Sequence, residues 1–309
     1  MHRSKTVVFI WFLYALLFYS LFQMALRNSD SSRNSTSASD SVISNNERRS
    51  ALYDQMGRDL AEHGPVFLKN GGQTSQSLSL SDIFTIRDGS VAPVLKAANP
   101  PVRANVLYLS TQYSIPILNA LKPILDPYFD EAIWFQNSSL YHSSMFHASH
   151  HISPVPATPD EIEAEAAAVR NIAEGLCPLK IVLDRVVLTS TGVLLGCWQV
   201  TSGSDPITIR EKLRTALPRA PEKQLYDAAI LHTSFARLLG HPKASSTVLS
   251  NTSEQVHFFQ ELVNRLNKEL QGFEAVVSEL WYVEEFDVLA LALNGRMKFR
   301  KFQLGCSRS

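Results

Sequence analysis

Two short segments, Met145-Phe-His-Ala-Ser-His150 and Ile230-Leu-His-Thr-Ser-Phe235, decide how we interpret this chain, because both contain the triplet His-x-Ser. Apolar and β-branched neighbours favour an extended conformation for each segment. Side chains alternate between the two faces of a strand, so the imidazole and the hydroxyl of one triplet should share a face. The pairs expected to share a face are His147 with Ser149, and His232 with Ser234.

The sequence around these segments mixes helix and strand patterns. Thr158-Pro-Asp-Glu161 provides an N-cap residue, a proline at the first helical position and a capping-box glutamate, so a helix should begin there. Residues 179–188 and 193–200 flank the turn at 189–192 and predict a β-hairpin. Residues 252–270 have the apolar spacing of an amphipathic helix. These patterns together predict an α+β fold.

The two histidine segments suit displacement at a phosphorus atom if their strands lie side by side. One imidazole can remove a proton from the attacking oxygen while the other, protonated, gives a proton to the leaving oxygen. A serine hydroxyl can donate a hydrogen bond to a non-bridging phosphate oxygen. We therefore expect His147 and His232 to be catalytic and Ser149 and Ser234 to bind phosphate. This chemistry needs neither a metal nor another cofactor.

These motifs resemble those of the 2H phosphoesterase superfamily, which includes the LigT proteins and plant cyclic phosphodiesterases and is marked by two His-x-Thr/Ser motifs. Residues 178–185 (PLKIVLDR) and 231–237 (LHTSFAR) are similar to plant proteins described as RNA ligase/cyclic nucleotide phosphodiesterase family members. The resemblance covers about residues 105–304. It implies a bilobal fold, with antiparallel sheets around a central cleft and helices outside.

The resemblance also implies a substrate class. Members of the family act on 2′,3′-cyclic nucleotides, RNA ends or related esters such as ADP-ribose cyclic phosphate, so we expect a cyclic phosphodiesterase. The chain has serine where the family often has threonine, a change that keeps the hydroxyl donor. His151 follows Ser149 by two positions, where an apolar residue is usual, and either binds phosphate or replaces that residue. Arg185, Arg237 and Tyr282 are further candidate contacts.

The composition limits the partners. The chain has 309 residues, with 29 Lys and Arg against 29 Asp and Glu, so no net charge attracts duplex nucleic acid to the whole surface. A small nucleotide or an RNA end needs only a few local donors, and we expect a monomer. Three cysteines are too few for a disulfide framework, although they allow one disulfide bond.

The N-terminus has the pattern of a membrane anchor. Residues 6–26 (TVVFIWFLYALLFYSLFQMAL) contain no charge and are long enough to span a bilayer as a helix. Arg3 and Lys5 precede them, which favours a type II single-pass signal-anchor and a lumenal catalytic domain in the endomembrane system or Golgi. A cleaved signal peptide is the alternative. The expected division is an anchor at 1–27, a disordered stem at 28–50, a variable extension at 51–104 and the 2H phosphoesterase-like domain at 105–309.

Three other interpretations compete with a two-histidine enzyme. The cluster His142, His147, His150 and His151 could bind a metal, but its spacing suits a single site poorly and no carboxylate lies near it in the sequence. A lumenal glycosyltransferase would share the anchor, but the chain has no Asp-x-Asp triplet. A non-catalytic phosphate- or nucleotide-binding module could keep the same fold. Such a module need not retain both imidazoles and both hydroxyls.

Overall fold

The computed structural model describes residues 44–69, 78–87, 90–129, 132–243 and 251–306. The helices in these ranges are α1 (Asn45–His63), α2 (Leu80–Ile83), α3 (Thr111–Phe129), α4 (Pro159–Glu174), α5 (Pro206–Ala216), α6 (Thr252–Leu270) and α7 (Ala290–Leu293). The strands are β1 (Phe84–Arg87), β2 (Ser90–Pro93), β3 (Ala97–Tyr108), β4 (Ile133–Phe135), β5 (His142–Ser149), β6 (Leu179–Leu188), β7 (Val193–Ser202), β8 (His232–Leu238), β9 (Glu274–Val277), β10 (Glu279–Asp287) and β11 (Met297–Gln303).

Two antiparallel sheets form the centre of the fold. Sheet 1 has the strand order β11-β10-β3-β5, and sheet 2 has the order β4-β8-β7-β6-β9. A separate β1-β2 hairpin completes the strands of the described residues. Apolar side chains from both sheets pack with α3, α4, α5 and α6 in one core. The predicted α+β class, with two antiparallel sheets and outer helices, is confirmed.

Local sequence signals explain several element boundaries. Thr158 caps α4 and forms the capping box with Glu161, and Pro159 occupies the first helical position. The predicted hairpin is the β6-β7 pair. Helix α6 has the predicted bounds, and Asn251 caps it by accepting a hydrogen bond from the amide of Glu254. These signals depend on neighbours in the sequence, which is why they could be interpreted before the fold was known.

Two elements cross the domain boundaries expected from the sequence. Helix α1 begins at Asn45, within the segment expected to be a disordered stem, because Ser44 and Glu47 form a capping box. It therefore spans the expected boundary at Ser50, and β3 spans the expected boundary at Ala104. Residues 44–309 form one compact unit, so α1 and the residues before β3 belong to the same unit as the two sheets.

The C-terminal part contains a short helix between two strands of sheet 1. Residues 288–293 form a turn and the helix α7, and Leu289 takes a left-handed conformation with φ of 59°. The last strand of sheet 1 is β11. Beyond it, Cys306 forms a disulfide bond with Cys177, with 4.4 Å between the two Cα atoms. This bond ties the chain after β11 to the loop before β6.

The predicted membrane anchor requires a correction. Residues 6–26, where it was expected, lie outside the described residues. Within the residues that the structure describes, no helix has both the length and the apolar character needed to cross a membrane. This finding contradicts the expected single-pass anchor, and with it the predicted type II membrane localisation and lumenal domain.

Candidate active site

A cavity of about 510 Å³ lies between the two sheets. We call the face of each sheet that lines this cavity its cleft face. Six of the polar and basic side chains that line it come from β5 and β8: His142, Ser144, His147, His232, Ser234 and Arg237. Polar side chains from other elements, among them His150, His151, Tyr226 and Glu285, line it as well.

Strand β8 presents its motif to the cavity as the sequence predicted. His232 pairs with Cys197 of β7 and Ser234 pairs with Leu195, so both side chains lie on the cleft face. A β-bulge at Phe235 adds one residue, and Arg237 therefore reaches the same face. The cleft face of β8 thus carries an imidazole, a hydroxyl and a guanidinium.

Strand β5 is more irregular, because two β-bulges interrupt its pairing with β3. The register pairs Tyr108 with His142, Val106 with Ser144 and Ala104 with His147. Met145 is the additional residue of the first bulge, so Ser144 and His147 share a face although three positions separate them. The cleft face of β5 thus carries two imidazoles and a hydroxyl.

The prediction for Ser149 is wrong, and the second bulge is the reason. Arg103 pairs with Ser149 while Ala104 pairs with His147, so Ala148 is additional and Ser149 turns to the opposite face from His147. There Ser149 is fully buried, and its Oγ accepts a hydrogen bond from the amide of Val155 at 3.0 Å. Ser149 therefore holds the loop after β5 and does not line the cavity.

Comparing the two strands reveals a correspondence that sequence reasoning missed. His142-Ser-Ser144-Met-Phe-His147 on β5 matches His232-Thr-Ser234-Phe-Ala-Arg237 on β8, position by position on the cleft face. The middle residues of the two triplets contact each other, with 3.3 Å between Ser143 Oγ and Thr233 Oγ1. The counterpart of His232 is therefore His142, and His147 is the counterpart of Arg237. The signal in the sequence was a further His-x-Ser triplet, at 142–144.

Two side chains from other elements hold the irregular strand. Arg210 of α5 donates hydrogen bonds to the carbonyls of Ser144 and Met145 at 2.9 Å each, and to that of Ala228 at 2.7 Å. Arg210 thus connects the first bulge of β5 with the segment that leads into β8. Gln224 pairs with the backbone of His147, accepting from its amide at 2.7 Å and donating to its carbonyl at 3.0 Å.

The environment of the histidines favours their neutral forms. His142 Nδ1 lies 2.7 Å from the carbonyl oxygen of Leu140, and a carbonyl can only accept, so Nδ1 carries the proton and Nε2 is the basic nitrogen. Burial lowers the pKa of His142. Burial, followed by the charges of Arg210 and His142, lowers the pKa of His232 to about 4. For His147, burial and then the neighbouring His150 lower the pKa to about 3.

Arg237 brings a fixed positive charge to this site. Its Nη1 is buried and has no hydrogen-bond partner. Burial lowers the pKa of Arg237 to about 10, which still leaves the guanidinium charged at neutral pH. A buried, charged donor without a partner is costly, so the position favours an anionic ligand.

The other candidate contacts have different places. Arg185 forms ion pairs with Asp54 and Asp184, and the Tyr282 hydroxyl donates to Glu165, so neither side chain lines the cavity. Both ring nitrogens of His150 have partners, the amide of Ser153 and the carbonyl of Lys223. His151 lines the cavity. Within the described ranges, no three His, Cys, Asp or Glu side chains are arranged to hold a metal ion.

No protein-family model and no curated protein matches the chain. Among solved structures it is similar to TT0787 of Thermus thermophilus, with 12% identity over 67% of this chain and 100% of that chain and a TM-score of 0.44. It is also similar to E. coli LigT complexed with NADP+, with 14% identity, coverage of 66% and 99%, and a TM-score of 0.40. A third is a phosphoesterase, with 13% identity, coverage of 66% and 99%, and a TM-score of 0.38.

The two-lobed α+β fold implied by the resemblance to the 2H phosphoesterase superfamily is the fold of this chain, as its own sheets and histidine strands show. Similarity at the level of these solved structures does not define an activity. The chemistry has to come from the side chains of the cavity.

Proposed function

We propose that this protein is a phosphodiesterase that hydrolyses a cyclic phosphodiester, with His142 and His232 as the acid-base pair. One observation carries the proposal. Along each of β5 and β8, an imidazole, a hydroxyl and then a second basic side chain (His147 or Arg237) face one cavity in the same order. Ser144 and Ser234 donate hydrogen bonds to non-bridging phosphate oxygens in this proposal. Arg237 balances the phosphate charge. His147, the partner of His232 expected from the sequence, is the competing candidate for the first imidazole.

In each turnover the His142–His232 pair accepts one proton from water and gives one proton to the leaving oxygen. One imidazole takes a proton from water as the water oxygen bonds to phosphorus. The bond from phosphorus to the ring oxygen of the cyclic ester breaks, and the other imidazole, protonated, gives its proton to that leaving oxygen. The two histidines thus exchange protonation states in one turnover, and the cycle uses no metal.

The free protein holds these histidines neutral, so the acid must gain its proton when substrate binds. Burial lowers the pKa of His142, and burial with Arg210 lowers that of His232 to about 4. A bound phosphodiester adds a negative charge beside both rings and raises their pKa values. We therefore expect binding of an anionic substrate to be accompanied by proton uptake near neutral pH.

The substrate in this proposal is a small nucleotide or an RNA end that bears a cyclic phosphate, such as a 2′,3′-cyclic nucleotide or ADP-ribose cyclic phosphate. The cavity, at about 510 Å³, is within the range that encloses one ligand of nucleotide size. Three histidines, a charged arginine and two serines on the cleft faces of β5 and β8 suit a phosphate. Apolar residues such as Met56, Leu195 and Leu291 line other parts and suit the less polar portion of a nucleoside.

The decisive experiment is hydrolysis of a panel of cyclic phosphodiesters by the full chain in the presence of EDTA. The variants are His142→Ala, His147→Ala and His232→Ala, with His150→Ala as a matched control, because both ring nitrogens of His150 bond to protein backbone. Loss of a positioned acid or base should lower kcat by about 10²- to 10⁴-fold for His142 and His232.

Each result of this experiment has a definite meaning. If His147→Ala lowered kcat strongly while His142→Ala kept a kcat near that of wild type, the acid-base pair would be His147 and His232. Loss of turnover on adding EDTA would contradict the metal-free mechanism. A folded wild-type protein that binds the panel members without hydrolysing them would be the non-catalytic binding module.

A further inference from the structure

Helix α1 lies outside the region in which the sequence resembles phosphoesterases, yet it packs directly on the cleft face of sheet 2. Tyr53 of α1 is fully buried and contacts a small apolar cluster with Val187, Leu195 and Cys197. Leu195 and Cys197 are the β7 partners of Ser234 and His232. The helix therefore covers the part of sheet 2 next to the motif strand.

The hydroxyl of Tyr53 lies where the β7-β8 pairing begins. It accepts a hydrogen bond from the amide of Leu231 at 3.1 Å. Its own proton is shared by the carbonyls of Leu231 at 2.7 Å and Trp198 at 2.8 Å. Leu231 immediately precedes His232, so this one hydroxyl bonds both backbone polar groups of the residue before the proposed catalytic histidine.

Two neighbouring side chains of α1 hold the preceding residues of the same segment. Arg49 is fully buried, donates to the carbonyl of Ala229 at 3.4 Å and forms an ion pair with Asp205. Arg48 forms an ion pair with Asp227. Residues 227–231 have no ladder partners of their own apart from the bond between Trp198 and Leu231, so α1, together with Arg210 of α5, fixes their path into β8.

Another part of the surface of α1 lines the cavity. Gln55, Met56, Asp59, Glu62 and His63 follow one another at helical spacing along the wall. The same helix therefore bounds the site and holds its motif strand. A shift of α1 would move the start of β8, and the imidazole of His232 with it.

We propose that Tyr53 is a positioning residue for His232, and this inference rests on the catalytic role proposed for that histidine. A catalytic group displaced by about 1 Å can lose about 10²-fold in rate. Tyr53 does not line the cavity, so its loss should affect the rate of the chemical step far more than substrate binding.

The test compares Tyr53→Phe with Tyr282→Phe in the full chain. Both tyrosines are fully buried, and each loses only a hydroxyl with a close partner, but the Tyr282 hydroxyl bonds to Glu165 away from the cavity. Both variants keep the aromatic ring and the packing around it. Thermal unfolding of each variant checks that it is folded at the assay temperature, and kcat and KM are measured on the best substrate of the panel.

We expect Tyr53→Phe to lower kcat by about 10- to 100-fold with KM within about twofold of wild type. Tyr282→Phe should keep kcat within about threefold, although a buried hydrogen bond is lost in both. Equal kcat values for the two variants would overturn the inference, and so would a change confined to KM.

Imidazole resonances in NMR spectra give a second measurement that does not need turnover. Tyr53→Phe should shift the His232 signals and its titration midpoint while those of His150 stay unchanged, and unchanged His232 signals would overturn the inference. A wild-type protein without activity on the panel would instead contradict the proposed function, and the His232 signals would still decide the role of Tyr53. If Tyr53→Phe does not fold, Arg49→Lys, which keeps the charge beside Asp205 while altering the bond to Ala229, replaces it with the same expected shift.

Discussion

Strands β5 and β8 face the same cavity with matching groups, but they are built differently. β8 is an inner strand of sheet 2 with one bulge, whereas β5 is an edge strand of sheet 1 with two bulges. The edge strand depends on Arg210 and Gln224 for hydrogen bonds that a neighbouring strand would otherwise provide. At the last matching position the strands also differ in chemistry, with His147 on one and Arg237 on the other. The two halves of the site are therefore equivalent in geometry and unequal in charge.

Among the tests of this comparison, the largest effect should come from the position at which the strands differ. Arg237→Met removes a buried charge with an unpartnered donor and should lower kcat/KM by about 10²-fold, the size expected for a hydrogen bond to a charged group. His147→Met should lose about tenfold or less, because His147 is neutral in the free protein. Steady-state kinetics on one cyclic substrate measures both. A greater loss at His147 than at Arg237 would show that the charge difference between the strands does not matter.

The second prediction concerns acid stability. The folded-state pKa of His147 is about 3 and that of His232 about 4, both below the unfolded value near 6.5. A histidine with a lowered pKa stabilises the fold fully above its unfolded pKa, and this contribution is lost as pH falls from about 6.5 towards the folded pKa. The free energy of unfolding should therefore drop by about 2 kcal/mol or more between pH 7 and pH 5.

His147→Gln provides the comparison for this measurement. Glutamine does not titrate, so the variant should lose less stability than the wild type over the same pH interval, as measured by urea denaturation. Parallel curves for the two proteins would mean that the buried imidazole of β5 does not titrate with unfolding.

The third prediction separates the serines. Ser144→Ala and Ser234→Ala should each lower kcat/KM by about tenfold, the effect of one lost hydrogen bond to a charged oxygen. Ser149→Ala should leave the kinetics unchanged and lower stability by about 1 kcal/mol, since its hydroxyl bonds only the Val155 amide. If Ser149→Ala lowered kcat/KM and Ser144→Ala did not, Ser149 would share the cleft face with His147, as regular alternation along β5 predicts.

These serines show what sequence reasoning could and could not find. On β8 the predicted shared face of His232 and Ser234 agrees with the structure, because residues 232–234 follow regular alternation. On β5 the alternation fails at Met145 and Ala148, and a β-bulge leaves no fixed signature in the residues themselves. Ser149 was therefore assigned to the cavity, and His142 was considered only as a member of a metal cluster.

The contribution of α1 was missed for a different reason. Its contacts with the segment that leads into β8 are made by polar atoms of Arg48, Arg49 and Tyr53, so the helix lacks the apolar stripe that usually indicates docking. The capping signals of α4 and the stripe of α6 are local and were interpreted correctly. What could not be predicted was the set of contacts between residues far apart in the chain.

The last prediction concerns residues 289–293, which lie between β10 and β11 of sheet 1 and also form hydrogen bonds with side chains from the sheet 2 side. Glu285 of sheet 1 accepts a hydrogen bond from the amide of Ala290 at 2.9 Å. From the sheet 2 side, Gln136 donates to the carbonyl of Leu291 at 2.6 Å and Trp134 to that of Ala292 at 3.0 Å. Burial raises the pKa of Glu285 to about 7.

A carboxyl group with a raised pKa stabilises the fold fully below its unfolded pKa near 4.5, and this contribution is lost as pH rises through about 7. Glu285→Gln keeps an acceptor for the Ala290 amide but cannot ionise, so it should gain about 2 kcal/mol over wild type at pH 8 relative to pH 5. Denaturation curves at the two pH values measure this difference. A gain at pH 8 would mean that ionisation of Glu285 destabilises the wild-type fold. If the variant and the wild type differed in free energy of unfolding by the same amount at both pH values, the carboxyl group would keep one protonation state throughout. The contact of residues 289–293 with the two sheets would then be independent of pH.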